Sequence, residues 1–211
     1  MNKVNISVKS LVFITFSLFY PIVLGGLTEV RASNLEPSKT ISIFQSTLLE
    51  TMKKAENTNI KQRYKFLATN LKKTFHFPIM IQIATGNAWK KATYLEKSKL
   101  IESFQRMSIM TLATLFNGYS GEIFKVVKEK KGPQRTTLVY TELIKVDNSK
   151  ISIIYVTRKF KSGWRIIDVI VDSGISELLV RRSEYKQILK NRRISGLIKL
   201  LDDKAAELLL K

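Results

Sequence analysis

Two aspartates, Asp168 and Asp172, stand four residues apart in the stretch GWRIIDVIVDSGISELLVRR (residues 163–182), and a pair of carboxylates is the smallest apparatus for acid–base chemistry. The stretch reads as a strand running into a helix. On a strand, four residues span roughly 13 Å, with both side chains on one face. That separation is too wide for a shared proton and wider than either spacing used in glycoside hydrolysis. Asp172 and Ser173 also stand where a helix start needs oxygen acceptors, ahead of GISELL, so capping suffices to account for them. Asp168, between Ile167 and Val169, needs a partner in mid-strand, and Arg165, Arg158 and Lys159 are the neighbours able to supply one.

Other chemistry finds little to build on. The chain has no cysteine and one histidine, His76, which removes thiolate chemistry, disulfides, histidine triads and multi-histidine metal sites. His76 lies between Phe75 and Phe77 and reads as a partly buried structural residue. GYSG at residues 118–121 has the outline of a nucleophile elbow, but Glu122 occupies the place of the last glycine and the segment follows a helix, so it reads as a turn. Phosphate loops and dinucleotide fingerprints are absent. We therefore expect no catalytic residue, no metal and no cofactor: a protein that binds and does not react. An enzyme using Asp168 is the weakest alternative.

Charge narrows what is bound. Of 211 residues, 36 are basic and 17 acidic, a formal net charge of +19. Residues 1–32 read as an export signal, with Lys3 and Lys9 ahead of an uncharged run over residues 10–27 and a small-residue cleavage site after Ala32. The strongly apolar part, LVFITFSLFYPIVL, contains a proline and is shorter than the roughly 20 residues of a spanning helix, which favours cleavage over a retained anchor. Cleavage removes Lys3, Lys9, Arg31 and Glu29 and leaves +17 on residues 33–211, enough chain for one domain with its own core. In an exported protein such a surface favours an anionic membrane or an acidic protein over nucleic acid, although lysines also serve solubility alone. The basic residues cluster at Lys125, Lys128, Lys130 and Lys131 and again over residues 181–193, where Tyr185 is almost the only aromatic, too little stacking surface for single-stranded nucleic acid.

The elements that must carry these residues follow from periodicity. Pro37 and Ser38 open a helix with Ile41, Phe44, Leu48, Met52 and Ala55 on one face, and a second covers residues 61–75. Pro78 opens a short apolar piece that Gly86 closes. Thr93 and Glu96 form a capping box for a long helix to Phe116, with Leu100, Phe104, Met107, Thr111 and Leu115 in line and Ile101, Ser108 and Leu112 beside them. After Gly121 the period drops to two through four strands joined by short turns, an antiparallel meander. Two helices follow, at residues 174–190 and 195–210, the last capped by Ser195. The fold class is α+β: a four-stranded antiparallel meander covered by N-terminal and C-terminal helices. Both sheet faces look apolar, which two helical layers or an enclosed ligand cavity would explain equally.

The order of these pieces resembles the MlaC family of periplasmic phospholipid-binding proteins, the toluene-tolerance auxiliary proteins, and within it the hopanoid-associated HpnM branch. The resemblance rests on Trp164, Asp168, Gly174, Ile175 and Ser176, the Arg182–Tyr185 region, Leu189 and ISGLIKLL, with AWKKATYLEKSKLIESFQRM and YSGE upstream, and covers residues 40–208. It implies a soluble periplasmic carrier that encloses the acyl chains of a phospholipid or hopanoid-related lipid. It further implies exchange with an MCE-domain ABC transporter complex of the inner membrane and an outer-membrane lipoprotein complex. The alternative from the residues alone is a basic adaptor that holds an acidic envelope protein or an anionic surface without lipid. For the carrier, the sheet faces and facing helices suggest Phe104, Met107, Val139, Leu143, Ile153, Tyr155, Ile170, Ile175 and Leu178 as the apolar pocket, each of which plain core packing would also explain.

Overall fold

A computed structural model describes residues 36–172 and 174–210; the export signal and cleavage site expected over residues 1–32 lie outside the described residues. The helix α1 (Glu36–Lys53) buries Ile41, Phe44, Leu48 and Met52 at the expected spacing. Its first turn is tied to the sheet, where the Glu129 carboxylate accepts the Ser38 N–H at 2.8 Å and also the Ser38 hydroxyl, placing a negative charge at the positive end of the helix. Asn59 and Gln62 cap α2 (Ile60–Thr74) reciprocally, one residue ahead of the start that periodicity predicts. The apolar piece after Pro78 is a third helix, α3 (Phe77–Thr85), and Gly86, at φ +54°, turns the chain into the single turn α4 (Asn87–Lys91). The helix α5 (Tyr94–Leu115) begins with the Thr93–Glu96 capping box as expected. Its buried side extends past the expected rows, with Ile109, Met110 and Ala113 inside and Leu115 half exposed, because α2, α3 and α6 pack around it.

The strands β1 (Ile123–Lys131), β2 (Thr136–Ile144), β3 (Lys150–Phe160) and β4 (Gly163–Val171) pair consecutively and antiparallel. A fifth, β5 (Ile175–Ser176), goes beyond the four strands that alternation predicts: Val171 pairs with Ile175 and Ile170 with Ser176. This return pushes the next helix, α6 (Glu177–Leu209), three residues beyond its expected start. Asp172 consequently does not cap it. It sits in the turn at φ +42° and its N–H donates to the Ser152 carbonyl at 2.8 Å. The cap is Ser176, whose hydroxyl oxygen accepts the Leu179 N–H. The two expected C-terminal helices are one 33-residue run broken at Arg193 (φ 56°, ψ −159°), and Ser195 is not an N-cap, its hydroxyl donating back to the Arg192 carbonyl at 3.3 Å.

One face of the sheet carries Val139, Tyr155 and Val169 in register, with Thr141 and Ile153 beside them. Across it lies α1, with Phe44 edge-on to Tyr155 at 5.9 Å. The other face, with Leu138, Tyr140, Ile154, Val156 and Ile170, is half-buried and lies outside the main core cluster. This face does without a helical layer because long basic side chains lie over it: Lys128 and Lys130 place their ammonium groups 5.2 and 5.8 Å from the Tyr140 ring centre, covering apolar surface with their stems. No helix among the described residues is long and apolar enough to cross a membrane.

Candidate functional site

Asp168 is half-buried and faces the start of α6, not a basic residue. One carboxylate oxygen accepts the Ser176 hydroxyl at 2.5 Å; the other accepts the N–H groups of Val169 at 2.8 Å and Leu178 at 3.2 Å. The expected arginine and lysine partners are therefore replaced by donors eight and ten residues downstream, which β5 brings back beside the strand. A carboxylate satisfied in this way ties α6 to the sheet. No group of three or more His, Cys, Asp or Glu among the described residues is arranged to hold a metal.

The nine suggested pocket residues do not surround one common space. Phe104, Met107, Val139, Tyr155 and Leu178 are buried in a single core cluster, and Ile153 packs against it. Leu143 is buried outside that cluster, paired with Phe124 and Ile151. Ile170 is on the opposite face, beside Ile154, and Ile175 is 45% exposed at the sheet edge. The helix that meets all four long strands is α1, while α2, α3 and α6 touch the sheet at β4, and α5, which carries Phe104 and Met107, packs on α2, α3 and α6. Ile41, Phe44 and Leu48 thus belong to the sheet–helix interface. Their 3.6-residue spacing was legible, but not which helix would cover the sheet. In this interface burial pushes the Tyr155 phenol well above its ordinary pKa, with the Gln45 amide opposing. The tyrosine is a neutral wall.

Open cavities lie elsewhere. Two adjoining hollows of about 450 and 640 Å³ run between α3–α4 and α6, sharing Asn87, Ala88 and Leu189. Their floor is apolar, and Arg182, Lys186, Lys190 and Arg193 line the α6 side. A third hollow, of about 420 Å³, lies on the outer side of α1 and α2 around Ile43 and Phe66. The basic cluster over residues 181–193 was visible in the sequence as a surface; the opposing wall at Gly86–Ala88 was not.

Residues 44–203 match the family described as MlaC protein. The chain belongs to the MlaC family. The fold of this MlaC protein is shared with a phospholipid-binding protein of Ralstonia solanacearum solved in complex with a phospholipid, at a TM-score of 0.71 and 18% identity, covering 82% of this chain and 98% of that one. No curated protein matches the chain. Family and fold together point to a binding or transport protein.

Proposed function

We propose that this protein is a periplasmic lipid carrier that takes the acyl chains of a phospholipid into the interface between helices and sheet and passes the lipid between membrane complexes. Its partners in that reading are an MCE-domain ABC transporter complex of the inner membrane and an outer-membrane lipoprotein complex. One observation carries it: a protein of the same fold, matched over 98% of its length, holds a phospholipid. Energetics agrees. Burial of an acyl chain gains about 0.8 kcal/mol per CH₂, so two long chains left in water cost roughly 20 kcal/mol or more, and a soluble carrier has to enclose them. The core formed by Phe44, Met107, Val139, Tyr155 and Leu178 is continuous and almost wholly apolar, so a tail that enters it meets few polar groups.

Native mass spectrometry of the protein purified without detergent, followed by lipid extraction, tests the reading. One lipid per chain is the expected result. A clean lipid-free mass in a stably folded protein would shift the assignment to a basic adaptor. Val139→Phe, which fills the interface from the sheet side, is expected to abolish lipid retention while circular dichroism remains that of the wild type; unchanged retention would move the tails elsewhere.

A further inference from the structure

The stripe Arg182, Lys186, Leu189, Lys190 and Arg193 follows helical spacing, so its members share one side of α6 and face the hollow against α3–α4. Lys91 joins them from the end of α4. Among the described residues Lys91, Arg182, Lys186 and Lys190 enter no ion pair, although Glu50, Glu142, Glu184, Asp202 and Asp203 all do. The acid lining the hollow, Glu96, accepts the Thr93 N–H at 2.8 Å and hydroxyl at 3.0 Å; these bonds, the N–H first, hold its carboxyl below the usual range, and Arg193 acts in the same direction, so its charge is set against Arg193 and not against the four unpaired cations.

Position is fixed as well as charge. The Arg182 guanidinium lies over Gly86, 3.5 Å from where a Cβ would stand, and at the carboxyl end of α3 the helix dipole favours a cation there. At the far end, the break at Arg193 turns α6 so that Arg193 and Ile194 close the hollow. Beneath the basic rim the floor is Ala84, Ala88, Ala92 and Leu189. An apolar floor under a row of unpaired cations suits an amphiphile with a negative head. It suits a zwitterion poorly, because the quaternary ammonium would meet four like charges.

We propose that this hollow holds the phosphate headgroup of an anionic phospholipid, and that it selects anionic over zwitterionic cargo. The assignment rests on the lipid-carrier reading and adds to it the headgroup site and the lipid class. Arg182 is the bidentate partner, its planar fork matching two phosphate oxygens; Lys186 and Lys190 supply charge.

The test measures binding of dihexanoyl phosphatidylglycerol and dihexanoyl phosphatidylcholine, each below its micelle concentration, to the delipidated protein by calorimetry, with glycerol phosphate as a soluble-anion control. The phosphatidylglycerol is expected to bind about tenfold or more tightly than the phosphatidylcholine. In Lys186→Gln/Lys190→Gln the ratio should fall towards one through weaker phosphatidylglycerol binding alone, and Arg182→Lys should keep only part of the preference. All three positions are exposed, so the fold is not at stake. Equal affinities in the wild type, or a preference unaltered by the double substitution, would overturn the headgroup site and leave the carrier standing. Glycerol phosphate binding as tightly as the lipid would make the hollow a soluble-anion site and overturn the assignment. Neither lipid binding the wild type would overturn both the site and the carrier.

Discussion

His76 holds its place through a bond that only the neutral imidazole can make: Nδ1 accepts the Ile79 N–H at 3.2 Å and so caps α3, while the ring stacks on Phe160 at 4.1 Å. Burial pushes its pKa below the ordinary 6.5, and the charges of Arg165 and Arg158 act in the same direction. The unfolded chain therefore binds a proton at a higher pH than the folded one. This contribution is complete above pH 6.5 and is lost as the pH falls through 6.5 towards the lower folded value. The melting temperature should accordingly fall between pH 7 and pH 5, and His76→Asn, which keeps a capping oxygen but does not titrate, should flatten that slope. An equal slope in the variant would locate the effect elsewhere. Asp168 makes a prediction of the same scale. Removing its three hydrogen bonds in Asp168→Ala should cost about 1–3 kcal/mol in urea unfolding, and Asp168→Asn, which retains one acceptor oxygen, should cost less. That the carboxylate needed a partner was readable from Ile167 and Val169 on either side. Which partner was not, since Ser176 and Leu178 reach it only because a two-residue strand folds back.

Among the elements, those with a local cause were legible. Thr93 and Glu96 mark the start of α5 by a mechanism contained within four residues, and the change from helical to alternating period after Gly121 marks the sheet. The features that escaped are those with a distant cause. Pairing of Ile175 with Val171 delays α6, and the break in α6 depends on Arg193 adopting a backbone conformation that glycine alone takes readily, with Gly196 packed against the turn. A Cβ on Gly196 would stand 2.2 Å from the Arg192 Cβ, so Gly196→Ala should force the turn open and lower stability by about 1–3 kcal/mol. Arg193→Gly should act in the opposite sense. Conformational strain of about 1–3 kcal/mol is stored at such positions, and part of it is relieved when glycine takes the place, less the extra entropy glycine brings to the unfolded chain. The expected net gain is about 1 kcal/mol. Chemical denaturation of the two variants decides the matter: a destabilised Arg193→Gly would mean that the arginine side chain contributes more to the fold than its backbone costs.

At the scale of the molecule, the apolar residues on both sides of the meander suggested two covered faces, and the pocket residues were drawn from both. The structure divides them. Val139 and Tyr155 meet α1, while Ile170 belongs to the face where Lys128 and Lys130 lie over Tyr140. Sequence alternation shows which residues share a face, but not whether a helix or the stems of long lysines will cover it. The result is a molecule of formal charge +19 with basic side chains on two surfaces, the open sheet face and the α6 hollow. A carrier with this distribution meets an anionic bilayer faster than a neutral one, because attraction raises the encounter rate and salt removes it. The Debye length shortens from about 10 Å at 0.1 M salt to about 3 Å at 1 M. Transfer of a fluorescent phospholipid out of vesicles rich in phosphatidylglycerol should therefore slow about tenfold or more over that range, while transfer out of pure phosphatidylcholine vesicles changes less than about twofold. Stopped-flow dequenching measures both. If the two donors respond to salt alike, encounter with the bilayer is not steered by charge, and the basic surfaces act only after docking.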